Sequence, residues 1–237
     1  MNSVRPTRDS TDYYEASADS YDFLHGGADH EHVRALQEGW PLIHGEVTTV
    51  LDVGCGTGRS LEWVSRRAPG AKLFGVEPSA HMREYAAARV PHADLRAGSG
   101  EHLPFADRSM DVVLATGIMH HVDRPARVID EMFRVAKRAV LISDHNNYAF
   151  GGQMARRLRI GLRAAGLLGI ATFVKQGFSR RGYSEDDGWW YPYSLFDDYA
   201  RIASHAERVI LFPTRAANAT GNLLLSQSHV AILASVA

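Results

Sequence analysis

The stretch Val50–Gly58, Val-Leu-Asp-Val-Gly-Cys-Gly-Thr-Gly, constrains the fold of this chain more than any other. A short apolar run reads as a buried strand, and it stops at three glycines in alternate positions, Gly54, Gly56 and Gly58. Glycines there let the backbone turn sharply and approach a ligand closely, because no Cβ intervenes. In open α/β sheets, ligands bind beyond the carboxyl ends of the strands. The loop does not fit the dinucleotide fingerprint Gly-x-Gly-x-x-Gly. Counted from Gly54, the last glycine falls on Arg59; counted from Gly56, it falls on Leu61. The phosphate loop Gly-x-x-x-x-Gly-Lys-Ser/Thr is absent as well. The spacing favours a nucleoside-like ligand without a pyrophosphate.

The alternation continues downstream. Strands are expected at Lys72–Val76, Ala93–Ala97, Asp111–Thr116 and Ala139–Ser143, with helices at Ser60–Arg67, Ser79–Arg89 and Ala126–Ala136. Strand and helix in turn imply a parallel sheet covered on both faces. Past Asp144 the pattern changes to a helix over Gly151–Ile170, an aromatic loop at Trp189–Tyr193 and a helix over Leu195–Ala203 opened by Ser194. Two strands, Arg208–Pro213 and His229–Ser235, lie close enough in sequence to pair antiparallel at a sheet edge. The 237 residues suit one domain, with residues 1–46 as an N-terminal flap and 145–204 as a substrate-side insertion.

Glu77 ends the second expected strand, in Gly75-Val76-Glu77-Pro78. A carboxylate at that place can accept from both hydroxyls of a ribose, and Pro78 suits a helix start. These residues resemble the class I S-adenosylmethionine-dependent methyltransferases, small-molecule type. So do the run Gly98-Ser99-Gly100-Glu101-His102-Leu103-Pro104-Phe105, and Met110–Thr116 followed by Met119-His120-His121-Val122. The resemblance covers roughly Val47 to Asp144. It implies an α/β, doubly wound, mostly parallel seven-stranded Rossmann-like sheet with an antiparallel last strand, and S-adenosyl-L-methionine as cofactor. It implies that Gly54, Cys55 and Gly56 approach the methionine part and that Asp52 organises the loop and the cofactor's amino group. Glu77 and Pro78 would hold the ribose, Ser99, Gly100 and Glu101 would flank the adenine, and Thr116 and Tyr21 would complete the cofactor site. Many relatives carry an aspartate where Ser99 stands, so a neutral acceptor replaces a charged one here.

Methyl transfer from a sulfonium is an in-line displacement, so orientation of the acceptor is the main task and can supply about 7–11 kcal/mol. A base is needed only when the acceptor must lose a proton. His121 and His145, with Asp144, are the expected catalytic residues, since they follow the fourth and fifth strands. Tyr14, His120, Trp189, Trp190 and Tyr193 are expected at the acceptor, with Tyr13-Tyr14-Glu15 and Tyr21-Asp22-Phe23 in a lid. The aromatic run 189–193 fits a pocket wall or a subunit contact, which leaves a homodimer open. No metal site is expected, because none of the 12 histidines lies in a ligand-spacing pattern.

A formal net charge of -1 gives no global field for nucleic acid, and the expected partner is a small-molecule acceptor. The single cysteine, Cys55, and the polar start of the chain fit a cytoplasmic protein without stable membrane insertion. One local bias stands out. Arg156, Arg157, Arg159, Arg163, Lys175, Arg180 and Arg181 fall in a stretch, Asn146–Ser184, that holds no acidic residue. Arg156, Arg159 and Arg163 share a helix face, open to an anionic acceptor, an acidic carrier or a membrane surface. The function expected is methylation of oxygen or nitrogen on a small molecule, in natural-product or sugar metabolism. The alternative is a protein that keeps fold and cofactor but has become a cyclase or scaffold.

Overall fold

The structure is a computed structural model and describes residues 13–19, 31–185, 187–215 and 222–236. The described residues form nine strands and nine α-helices, numbered in chain order. Helix α1 covers residues 13–19, and α2 covers Glu31–Gly39. Strand β1 (Thr49–Val53) leads to α3 (Arg59–Arg67), β2 (Lys72–Val76) to α4 (Ala80–Arg89), then β3 (Asp94–Arg96). Next come β4 (Met110–Thr116), α5 (Pro125–Val135) and β5 (Ala136–His145). The insertion carries α6 (Gln153–Ala164), α7 (Leu168–Lys175), β6 (Gly182–Ser184), β7 (Gly188–Trp190) and α8 (Tyr199–Ser204). The chain closes with β8 (Ala206–Pro213), α9 (Leu223–Ser226) and β9 (His229–Val236).

Seven strands form one sheet in the order β3-β2-β1-β4-β5-β9-β8. The first five run parallel, and β9 lies antiparallel between β5 and β8. This is the doubly wound sheet expected from the alternation. Both faces of β1 and β4 are buried because helices cover each side. Leu51, Val53, Val113 and Ala115 pack with Val128, Ile129 and Met132 of α5 on one face. Val50, Val112 and Leu114 pack with Leu36, Leu61 and Val64 on the other. The leading edge of the core is pinned by Asp111, whose carboxylate accepts from the amides of Thr48 (2.8 Å) and Thr49 (3.0 Å). Burial opposes its charge, yet those donors and the Thr48 hydroxyl hold its pKa down, at about 2.

Helix starts follow local chemistry. Ser79 caps α4, its hydroxyl accepting from the Met82 amide at 3.1 Å, and Pro125 occupies the first turn of α5. The insertion departs from expectation in two ways. The single helix expected over 151–170 is two helices, broken at Gly166, whose φ is 71°. The aromatic segment expected as a loop is partly β7, paired antiparallel with β6. Its strands are too short for alternation to show.

Candidate active site

The glycine loop leaves β1 under tight backbone control. The amides of Gly54 and Cys55 both donate to the Val76 carbonyl, at 2.7 and 3.1 Å. Gly54, Gly56 and Gly58 take φ values of 67°, 52° and 81°, where side chains are strained. A Cβ on Gly54 would strike Ile118 at 2.6 Å, whereas one on Gly56 would meet nothing within 4 Å. Gly56 therefore opens onto free space. Gly58 instead lets α3 approach α4, since its Cβ would sit 3.1 Å from Ala86.

Glu77 joins this loop to the next turn. Its carboxylate accepts from the Gly56 amide at 3.1 Å and the Ser79 amide at 2.9 Å. Burial raises its pKa, and the two amides partly offset that. Asp52 lies beneath, buried at 1% exposure. Burial first, and the nearby Glu77 second, push its pKa up to about 8, and its Oδ1 has no hydrogen-bond partner. Burial beside Glu77 disfavours the Asp52 carboxylate, and a cationic group bound at the loop would favour it.

A cavity of about 330 Å³ runs from this loop along the tops of β1, β2 and β4. Gly54, Gly56, Glu77, Pro78, Ser99, Gly100, Glu101 and Thr116 line it, as expected of cofactor residues, and so do Tyr14 and His121. Cys55 lines a smaller recess of about 50 Å³ that shares Gly54, Gly56 and Thr116 with the main cavity and also holds His32 and Arg59. Ser99 accepts from the Glu101 amide at 3.3 Å, so part of its hydrogen-bonding capacity serves its own turn. Tyr21 lies outside the described residues, as do Asp22 and Phe23.

The far end of the cavity is built from histidines. Asp144, at the top of β5, accepts from the amides of Met119 (2.7 Å) and His145 (2.6 Å). The same carboxylate accepts from Nδ1 of His120 at 2.7 Å. Nε2 of His120 stands 3.3 Å from Asp187, close enough for an ion pair but without hydrogen-bond geometry. Burial alone would lower the His120 pKa. Two carboxylates reverse that and push it up to about 10. Asp144 and Asp187 are held well below the usual carboxylate range despite their burial, by His120 and, at Asp187, also His121.

His121 differs. Its Nδ1 donates to the Trp189 carbonyl at 2.9 Å, and its Nε2 lies 3.4 Å from Asp187. Burial and the charge on His120 lower its pKa. It is thus a neutral imidazole on the cavity wall, with a carboxylate placed to stabilise the cation it becomes on taking a proton. Tyr14 meets it edge-on, with ring centroids 5.4 Å apart.

Several expected residues sit elsewhere. His145 stacks behind His120, at 4.0 Å between centroids, and burial plus the His120 charge bring its pKa down to about 3. Neither His145 nor Asp144 lines the cavity. His120 is only 3% exposed and holds Asp144 rather than facing an acceptor. Trp189, Trp190 and Tyr193 are also off the wall. Trp189 offers its carbonyl to His121, Trp190 covers Gly182, and Tyr193 is buried with its hydroxyl donating to Asp198 at 2.9 Å. The geometry adds Met82, Ile118, Asp123 and Arg181 to the lining. Asp123 follows the histidine pair closely, so proximity to that motif was a usable signal, and Arg181 belongs to the basic stretch Asn146–Ser184 that holds no acidic residue. Among the described residues, donor atoms of His120, His145 and Asp187 fall within 4.8 Å of one another, a spacing compatible with a cation. An ion pair accounts for the approach of His120 and Asp187, and ring stacking for that of His120 and His145.

A nucleoside-shaped cleft at the switch between β1 and β4, with a ribose-ready carboxylate and no pyrophosphate loop, defines an α/β protein built to bind an adenosyl compound. Residues 51–142 match the methyltransferase domain. Over those residues the chain carries a methyltransferase domain and is similar to the class I S-adenosylmethionine-dependent methyltransferases. An uncharacterized methyltransferase of Mycolicibacterium vanbaalenii is 37% identical over 124 residues, covering 49% of this chain and 47% of that protein. The dTDP-4-amino-2,3,4,6-tetradeoxy-D-glucose N,N-dimethyltransferase of Saccharopolyspora spinosa is 28% identical over 206 residues, 85% of this chain and 66% of that one. The chain thus spans about half the length of the first of these relatives. A methyltransferase structure from Thermotoga maritima shares the fold, with a TM-score of 0.58 at 20% identity over 94% of this chain and 97% of that one.

The donor set fits the family's cofactor. Glu77 presents a carboxylate for ribose hydroxyls, Gly56 leaves room beside it, and Asp52 lies buried beneath the loop with its Oδ1 orphaned.

Proposed function

We propose that this chain methylates an oxygen or nitrogen of a polar small molecule, with S-adenosyl-L-methionine as donor. The observation that carries this reading is one cavity holding Glu77 at one end and His121 at the other. When bound, the cofactor supplies a methyl group already activated by the positive sulfur. The residues of the chain do the rest. Glu77 and the glycine loop fix the donor, and Tyr14, Ile118 and Val122 shape the space in front of it. His121 accepts the acceptor's proton at Nε2, and Asp187 stabilises the imidazolium so formed. His120 and Asp144 hold that carboxylate and the turn after β4 in position; they act through their neighbours. Asp123 and Arg181 give the acceptor end polar character, which supports a hydroxylated or amino-bearing acceptor such as a sugar. The sugar-directed relative supports the same class.

The test incubates the protein and cofactor with aminosugars, sugar nucleotides and phenols, and reads acceptor mass. A gain of 14 daltons that disappears in His121→Ala, while that variant still binds S-adenosylhomocysteine in calorimetry, is expected. Binding of NAD in place of S-adenosylhomocysteine overturns the reading, as does methylation undiminished in His121→Ala.

A further inference from the structure

Helices α6 and α7 bury none of their residues. The shared arginine face of α6 is tied back to the domain, with Arg156 and Arg159 half-buried and Arg163 exposed. Arg156 donates from Nε to the Gly151 carbonyl at 2.7 Å and from Nη1 to the Leu225 carbonyl at 2.8 Å. Arg159 donates to the Phe150 carbonyl, and Arg163 pairs with Asp197 at 2.8 Å. Ile160 and Leu162 are half-buried, and the remaining large apolar residues of α6 point outward. Met154 and Leu158, one turn apart, are 87% and 63% exposed. On α7, Ile170 and Val174 repeat the spacing at 64% and 54%. Phe178 closes the unit at 72% exposed, with a left-handed φ of 62° rare for an aromatic residue.

A helix whose arginines bond to the domain while residues such as Met154 and Leu158 stand in water departs from the ordinary surface helix, which buries its large apolar groups. A contiguous apolar patch of this kind marks an interaction surface. Its charge selects the partner. Arg157, Lys175 and Arg180 are exposed around it, and no acidic residue occurs between 146 and 184. Two copies pressed face to face would bring like charges together without a carboxylate to neutralise them. Ile170 borders a cavity of about 650 Å³ beside α7, while Met154, Leu158, Val174 and Phe178 project outside it from helices and a turn, which suits a fluid surface better than a preformed groove. No helix among the described residues is long and apolar enough to cross a membrane, so the pair would lie flat. We infer that the α6–α7 hairpin docks this protein on the surface of an anionic lipid bilayer, with Met154, Leu158, Ile170, Val174 and Phe178 entering the acyl boundary.

The test is co-sedimentation of the full chain with vesicles of phosphatidylglycerol and phosphatidylcholine, and with phosphatidylcholine alone, at low and high salt. No cofactor is added, so the outcome is independent of the methylation reading. Binding to the anionic vesicles that weakens with salt is expected. The triple variant Leu158→Asp/Ile170→Asp/Phe178→Asp lowers the partition constant at least tenfold without shifting the melting temperature, since all three sites are exposed. Arg157→Glu/Lys175→Glu removes the preference for phosphatidylglycerol. Three results overturn the inference. One is absence of binding to either vesicle. Another is a lipid-independent dimer, by sedimentation velocity, that the triple variant dissolves. The third is capture by polyglutamate of a protein that ignores vesicles.

Discussion

The glycine-loop end of the cleft and the insertion after β5 are built on opposite plans. At the loop, backbone groups do the work at short range: Glu77 is fixed by amides from Gly56 and Ser79, and Gly54 is tied to Val76. In the insertion, side chains reach across long stretches of chain. Nδ1 of His121 meets the Trp189 carbonyl, and Tyr13 donates its hydroxyl to the Glu185 carbonyl at 2.8 Å. The first plan gives a rigid cofactor seat fixed by its own neighbourhood. The second gives an acceptor end whose shape depends on distant contacts and can vary while the seat stays constant.

That contrast is breakable by experiment. The largest effect is expected at the junction, where His121→Ala should cut turnover by about 10²–10⁴-fold, the scale of a lost general base, with cofactor affinity unchanged. The pH profile sharpens it. Because the His121 pKa is lowered by burial and the His120 charge, turnover should be flat through neutral pH. It should fall only below the ordinary histidine value of about 6.5 as the base is protonated. A profile still rising between pH 7 and 8 would remove His121 from the role. Next, Glu77→Ala should weaken S-adenosylhomocysteine binding by about 1.5–3 kcal/mol in calorimetry; equal loss of acceptor affinity would show that the two ends are not separable. Asp187→Asn should lower turnover by about tenfold and leave cofactor binding intact, since it faces the histidines alone. The smallest effect belongs to the insertion's outer face, where Leu158→Ser should change unfolding free energy by under about 0.5 kcal/mol in urea melts.

The same contrast explains what could be read from the amino-acid order. The strand and its glycines are contiguous, and Glu77, 21 residues from Gly56, is marked by its own strand end and by Pro78, so their pattern is visible without coordinates; the glycines and Glu77 line one cavity. The histidine pair was visible too. Which member faces the cleft was not, because Asp144 claims His120 from 24 residues away and Trp189 claims His121 from 68. Asp187 hid in a polar turn between two strands of three residues each. The approach of His120, His145 and Asp187 is a product of tertiary folding, and ligand spacing along the chain carries no trace of it. Helix α6 shows periodicity that misleads: the 3.6-residue stripe is real, but carbonyls at Gly151, Phe150 and Leu225 tie Arg156 and Arg159 back to the domain.

Helix α1 carries one more consequence. Glu15 reaches from it to cap α4, accepting from the Ala80 amide at 2.5 Å and the His81 amide at 3.3 Å, while its neighbour Tyr14 borders the cavity. The latch over the cleft is therefore hooked to the very helix that begins where Glu77 ends. A hook that engaged only over bound donor would have the donor enter before it and the spent donor leave after it. Steady-state kinetics should accordingly be ordered, with methylated product leaving first and S-adenosylhomocysteine last.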